Sequence, residues 1–165
     1  MVRSLAGLLA ALTLASSAQA GVHHSRQDIE MLKHASAFSS IAGDGGDLTK
    51  EAKAFIRVYQ TGDVKPFLEL SKSEAVAVQL FALCGLQHLK APEATDLRGA
   101  LSTSTKKTRV LLGCVIPPPT EVRELVRPAR DGEVSMFDGA CDILTKDAGS
   151  GTLGAASAGA RITGR

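Results

Sequence analysis

The spacing of apolar residues predicts a chain built mostly of short helices. Over residues 48–60 the apolar positions recur at i, i+4, i+7, i+8 and i+11, which is typical of an amphipathic helix, and Gly62 follows as a stop signal. Residues 75–89 are apolar on every side, as expected of a helix that other helices surround. We therefore expect 75–89 to be the central helix of the core. Shorter periodic patterns predict further helices over 27–38, 63–70, 93–101, 120–126 and 135–145.

The segment TRVLLGCVI, residues 108–116, is apolar and predicted to be buried, but its type is ambiguous. Its β-branched residues favour a strand, whereas a lone strand would have no partner for its backbone hydrogen bonds. Three prolines at 117–119 end the segment, because they cannot continue a hydrogen-bonded ladder. The glycines of 41–46 predict a turn in the first part of the chain.

Together these elements predict an all-α fold, a single irregular bundle of six or seven short helices over residues 21–147. Prolines between successive helices suggest HEAT-like pairs as an alternative arrangement, although no self-similar period runs along the chain. Residues 148–165 are rich in glycine, alanine and serine and contain little large apolar surface. We expect them to form a disordered tail, because their burial could not offset the entropy of ordering them.

The first twenty residues have the features of a secretory signal peptide. Arg3 supplies the positive charge, residues 5–15 are small or apolar, and Ala18-Gln19-Ala20 fits the small-x-small cleavage pattern. The apolar stretch is well short of the ~20 residues that span a bilayer. The sequence thus predicts cleavage after Ala20, no membrane insertion of the mature chain, and a secreted or periplasmic location.

Charge and composition argue against nucleic acid as a partner. Loss of Arg3 with the signal peptide lowers the basic residues from 19 to 18 against 17 acidic residues, and both signs are interspersed. Nucleic-acid-binding proteins usually present a basic face or stripe. The densest basic cluster, 106–109, is short enough to be a solvated loop, and the absence of tryptophan removes the best stacking platform for bases.

Three cysteines in an exported chain indicate one disulfide and one remaining thiol, because oxidising compartments convert accessible pairs into bridges. All three pairings are possible. A bridge between Cys84 and Cys114 is the preferred prediction, since both residues lie in strongly apolar segments and the bridge would close a loop of about thirty residues. Cys141 would then be buried and unpaired.

Cys84 and His88 lie four residues apart on the predicted central helix, a spacing that brings two side chains to one face. They could act as a thiolate and its base, or as two ligands of a zinc site completed by Cys114 and Cys141. The simpler interpretation is that Cys84 is a small core residue, which burial would make inert. No hydrolase or metalloprotease motif occurs, so no catalytic residue is predicted and the chain is expected not to be an enzyme.

The predicted mature N-terminus creates a candidate metal site. Cleavage after Ala20 leaves Gly21-Val22-His23, in which the terminal amine, two backbone amides and the imidazole provide four nitrogens in a square. This geometry suits Cu(II) and Ni(II), and His24 could add a further ligand. The alternative is an exposed terminus in which the histidines bind nothing.

The sequence favours an exported helical protein that serves as a protein-interaction or structural module of the cell envelope, with an unidentified protein partner and no cofactor. The alternative is an extracytoplasmic protein that handles copper or nickel through Gly21, Val22 and His23. A third hypothesis is a thiol-dependent enzyme centred on Cys84 and His88.

Overall fold

The computed structural model describes residues 26–42, 47–113, 117–128 and 134–149, and within these ranges the chain is mostly helical. The helices are α1 over 26–33, α2 over Lys50–Gln60, α3 over Lys65–Leu70, α4 over Val76–His88, α5 over Glu93–Leu101, α6 over Val122–Leu125 and α7 over Met136–Gly149. The strands are β1 over Phe38–Ala42, β2 over Asp47–Leu48, β3 over Lys107–Thr108, β4 over Val110–Gly113 and β5 over Thr120–Glu121.

Two small sheets make the all-α prediction only approximate. The first has the order β2-β1-β4, in which β1 pairs antiparallel with β2 and parallel with β4, with Phe38 opposite Val110. The second pairs β3 with β5 in antiparallel fashion. The ambiguous apolar segment after residue 108 therefore does contain a strand. Its partner, β1, lies in a region for which the sequence predicted the end of a helix and a turn.

Helix α4 forms the centre of the core, as its apolar pattern predicts. Ten of its residues are buried, and those from Leu80 to Cys84 have no exposed surface. The ring of Phe81 lies 4.8 Å from that of Phe38 and 5.8 Å from that of Phe55, measured between centroids. Because aromatic side chains bury large areas, these rings join α4 to β1 and α2 in one apolar cluster.

Gly85 allows α3 to pack closely on α4. A Cβ atom at this position would lie 2.5 Å from Cε1 and 2.6 Å from Cγ of Phe67, distances that real Cβ contacts do not reach. Phe67 is fully buried and its ring contacts that of Phe55, with centroids 5.6 Å apart. The glycine within this helix is thus explained by an aromatic ring that occupies the place of its side chain.

Helix α2 begins at a polar cap and ends at a glycine. The Thr49 hydroxyl accepts a hydrogen bond from the amide of Ala52 at 3.0 Å, so the helix starts after Leu48 rather than at it. Gly62 has a φ of 69°, the left-handed conformation that glycine adopts most readily at a helix end. The sequence prediction of this stop is confirmed.

An ion pair between a buried carboxylate and a half-exposed guanidinium fixes α1 on α2. The Asp28 carboxylate is only 4% exposed and accepts hydrogen bonds from Nε and Nη2 of Arg57 at 2.9 and 2.5 Å. These hydrogen bonds raise the pKa of the Arg57 guanidinium above its already high value, so the guanidinium stays charged throughout the physiological range. Removing Arg57 would leave a carboxylate unpaired in the core.

Several predicted element boundaries differ from the structure. Helix α1 ends at residue 33, whereas the sequence predicted helix to Phe38. Helix α4 begins at Val76, one residue later than predicted, and has no side-chain cap: Ser71 is the C-cap residue of α3, and the Ser73 hydroxyl accepts a hydrogen bond from the Ala75 amide at 3.2 Å. Helix α7 continues to Gly149 and so includes the first two residues of the predicted tail, which was expected to start at 148. Within the described ranges, no helix is both long and apolar enough to span a membrane.

Candidate metal and disulfide site

Helices α4 and α7 bring three potential ligands together. Cys84 and His88 lie one turn apart near the end of α4, and Cys141 lies in the middle of α7. One ligand atom from each of these three side chains lies within 4.8 Å of the other two. The predicted common face of Cys84 and His88 is therefore present, and the residue that completes the cluster comes from the last helix.

Cys84 is bonded to Cys141, so the predicted Cys84–Cys114 bridge is wrong. The two Cα atoms lie 5.6 Å apart, and the bridge joins positions 57 residues apart in sequence. The prediction used loop length and apolar neighbours, but pairing depends on how the helices pack. Cys141 lies on the same buried face of α7 as Phe137 and Leu144, and this face rests on the core. Cys114 lies outside the described residues.

Polar contacts next to the bridge hold α7 in place. Ser135 caps the helix: its hydroxyl accepts from the Asp138 amide at 3.0 Å and donates to the Asp138 carboxylate at 2.6 Å. The Arg98 guanidinium of α5 donates to the same carboxylate. With the Gln87 amide oriented to accept, Arg98 also donates to Gln87 at 2.8 and 3.1 Å. Arg98 thus links α5 to α4 and α7 at Gln87 and Asp138, each about one helical turn from a cysteine of the bridge.

The cluster has a buried side and an open side. Cys84 and Cys141 are 0% and 1% exposed, whereas the side chain of His88 is 31% exposed. The Asp142 carboxylate lies 3.7 Å from Nε2 of His88 and is half-exposed. Solvent therefore reaches the imidazole but not the sulfur atoms. In the oxidised protein Cys84 offers no thiolate, so the hypothesis of a Cys84–His88 nucleophile and base applies only to a reduced form.

A separate surface cavity of about 460 Å³ lies where α4 begins. The side chains of Glu74, Lys106 and Lys107 line it, and Nζ of Lys106 donates to the Glu74 carbonyl at 3.3 Å. Both lysines are exposed, as predicted, but the predicted loop is wrong in part, because Lys107 and the buried Thr108 form β3. The cavity is not a strongly basic pocket, because Lys106 already donates a hydrogen bond and the acidic residue Glu74 belongs to the same lining.

The remaining predicted site residues lie elsewhere. Gly21, Val22 and His23, the predicted copper or nickel ligands, lie outside the described residues. His34, a histidine that belongs to no predicted site, is exposed in the turn that follows α1. Comparisons with protein families, with curated proteins and with solved structures found no match.

Proposed function

We propose that the chain is an exported, non-catalytic helical module of the cell envelope, periplasmic or secreted, that binds another protein or has a structural role. The observation that carries this proposal is the buried disulfide between Cys84 and Cys141, which ties two core helices together. Disulfides of this kind persist in oxidising compartments and are rare in reducing ones. The signal-like features of residues 1–20 support the same location.

The architecture supports a scaffold in which rigidity matters more than movement. Helix α2 packs on α7, which is far from it in sequence, and this favours a single irregular bundle over HEAT-like pairs of successive helices. The disulfide and the Arg98 contacts both fix α7 on this bundle. A rigid surface loses little conformational entropy when it binds, and this favours recognition of a partner.

Mass spectrometry of the natural protein tests the proposal. We expect a chain that begins at Gly21 and contains one disulfide, so that reduction and alkylation modify two more thiols than alkylation alone. Replacing Ala18 by arginine should block cleavage and leave the precursor, because the small-x-small pattern is broken. Replacing Gln19 by alanine, at the unconstrained middle position, is the matched control and should be cleaved normally. A full-length cytoplasmic chain with reduced thiols would contradict the proposal.

The size of the native assembly tests whether the chain binds a partner protein. The purified, oxidised mature chain is expected to elute as a monomer, whereas the same protein in a gently extracted envelope fraction is expected to elute as a larger complex. A monomer in both preparations would reject partner binding and leave only the structural role.

Copper or nickel handling is the second candidate function, favoured by the position of His23 as the third residue after the predicted cleavage point. The mature chain is expected to bind one Cu(II) with the visible absorption of a square-planar four-nitrogen complex. His23→Gln should abolish this spectrum, while His24→Gln, the neighbouring control, should retain it. Equal spectra for the two variants would exclude the site.

A further inference from the structure

We propose that the reduced chain binds Zn²⁺ through Cys84, Cys141 and His88, and that formation of the disulfide expels the metal. This inference goes beyond the function proposed above, because a protein-binding module needs no metal. It rests on the position of three ligand atoms within 4.8 Å of one another on two helices that the core holds together. Two thiolates and one imidazole form a ligand set that zinc binds in many proteins.

The distance between the backbones of Cys84 and Cys141 is compatible with both the zinc-bound and the disulfide-bonded state. At Zn–S distances of about 2.3 Å, two sulfur atoms on a tetrahedral zinc ion lie roughly 3.8 Å apart. The Cα atoms of Cys84 and Cys141 are 5.6 Å apart. Cysteine side chains on backbones at this distance can either bond directly or turn apart to share an ion. No movement of the helices is needed, which matters because α4 is enclosed on all sides.

His88 and Asp142 explain how the site is completed. The imidazole is partly exposed, so it can approach a metal ion from the solvent side of the two sulfur atoms. The Asp142 carboxylate lies 3.7 Å from Nε2 of His88, slightly beyond hydrogen-bond distance, so a small rotation of either side chain would let it orient the ring, as carboxylates commonly do for zinc-bound histidines. Water can occupy the fourth position.

The conversion of the zinc-bound state into the disulfide-bonded state balances in atoms and electrons. Zn²⁺ replaces the two thiol protons when the reduced chain folds, and the metal does not change its oxidation state. A disulfide oxidant of the export compartment then removes two electrons from the two thiolates. The S–S bond forms, Zn²⁺ leaves, and the oxidant takes up two protons as a dithiol. Because both sulfur atoms are buried, we expect this exchange to accompany folding rather than to occur freely in the folded protein.

A cobalt titration tests the proposal. The mature chain carrying His23→Gln, which removes the N-terminal copper and nickel site, is refolded with a phosphine reductant and titrated with Co²⁺. We expect one Co²⁺ per chain, a near-ultraviolet thiolate-to-cobalt band and displacement by Zn²⁺. The same chain after oxidation should show no such band. Absence of the band from the reduced chain, or equal binding by the oxidised chain, would overturn the proposal.

Variants separate the ligands from general effects on folding. His88→Gln should weaken Zn²⁺ binding by at least about 100-fold and Asp142→Asn by about 10-fold, because a ligand contributes more than a residue that orients it. His34→Gln, at an exposed histidine directly after α1, is the matched control and should have no effect. Cys141→Ser should abolish the thiolate band, whereas Cys114→Ser should retain it. If the reduced chain is unfolded and Zn²⁺ does not restore its helical circular dichroism, or if His88→Gln behaves like His34→Gln, the proposal is wrong.

Discussion

Replacing both Cys84 and Cys141 by alanine is expected to lower the free energy of unfolding by about 4 kcal/mol, because a bridge of this span restricts the unfolded chain strongly. The bridge joins residues 57 positions apart, and the conformational entropy that it removes from the unfolded chain grows with this span. A typical domain is stable by only about 5–15 kcal/mol, which makes this a large fraction of the total. Urea unfolding at constant pH, with a chelator to exclude metal, measures the difference.

Reduction of the unmodified protein in the chelator should reproduce this loss, while the double alanine variant should be insensitive to reductant. Cys114→Ala tests the alternative pairing. It is expected to retain the Cys84–Cys141 bridge and to remain sensitive to reductant. A loss of about 4 kcal/mol for Cys114→Ala, matching that of the double variant, would contradict the pairing.

Gly85→Ala is expected to destabilise the protein by about 2 kcal/mol, although alanine is the better helix former. The added Cβ would overlap the ring of Phe67, and this ring is fully buried against Phe55. The cost of displacing a packed aromatic side chain outweighs a gain in helix propensity of roughly 1 kcal/mol. Thermal or urea unfolding of the oxidised variant gives the value.

Gly99→Ala is the matched control for this substitution. Gly99 lies exposed in α5, and a Cβ atom there would meet nothing within 4 Å. The same change should therefore stabilise the protein by up to about 1 kcal/mol. In the background of Phe67→Leu, the effect of Gly85→Ala should shrink, since a smaller side chain leaves room. Equal effects of Gly85→Ala and Gly99→Ala would show that Phe67 does not pack on Gly85.

The helices with a clear apolar period could be predicted well from the sequence. Residues that are apolar on every side identified α4 as the core helix, and Pro92 and Leu101 bounded α5 correctly. These features are local, because a helix makes its backbone hydrogen bonds within itself. The positions that break the pattern were predicted less well. Met136 is a large apolar residue within the predicted helix 135–145, yet it is 48% exposed because it lies in the first turn of α7.

The strands could not be predicted because a strand depends on hydrogen bonds to a segment that is distant in the chain. Phe38 has the spacing of a helical residue, but its amide donates to the Arg109 carbonyl at 2.9 Å across the sheet. β1 and β4 form strands because each supplies the partner that the other needs. Neither segment contains that information by itself, and more than sixty residues separate them.

Only part of the candidate site could be predicted from the sequence, again because the rest depends on contacts between segments that are distant in the chain. The four-residue spacing of Cys84 and His88 placed them correctly on one helix face. The choice of Cys141 over Cys114 depended on how α7 packs against α4, which no spacing reveals. The apolar face that Cys141 shares with Phe137 and Leu144 was a usable signal, since it required α7 to pack on the core.

Thiol mapping of the native, oxidised protein tests most directly whether α7 packs on α4 through the Cys84–Cys141 bridge. The folded protein is treated with an alkylating reagent, then digested without reduction, and the cross-linked peptides are sequenced. The structure predicts that Cys84 is protected from the reagent and is recovered in one peptide pair with Cys141. Alkylation of Cys84 in the folded protein, or its recovery linked to Cys114, would contradict this account.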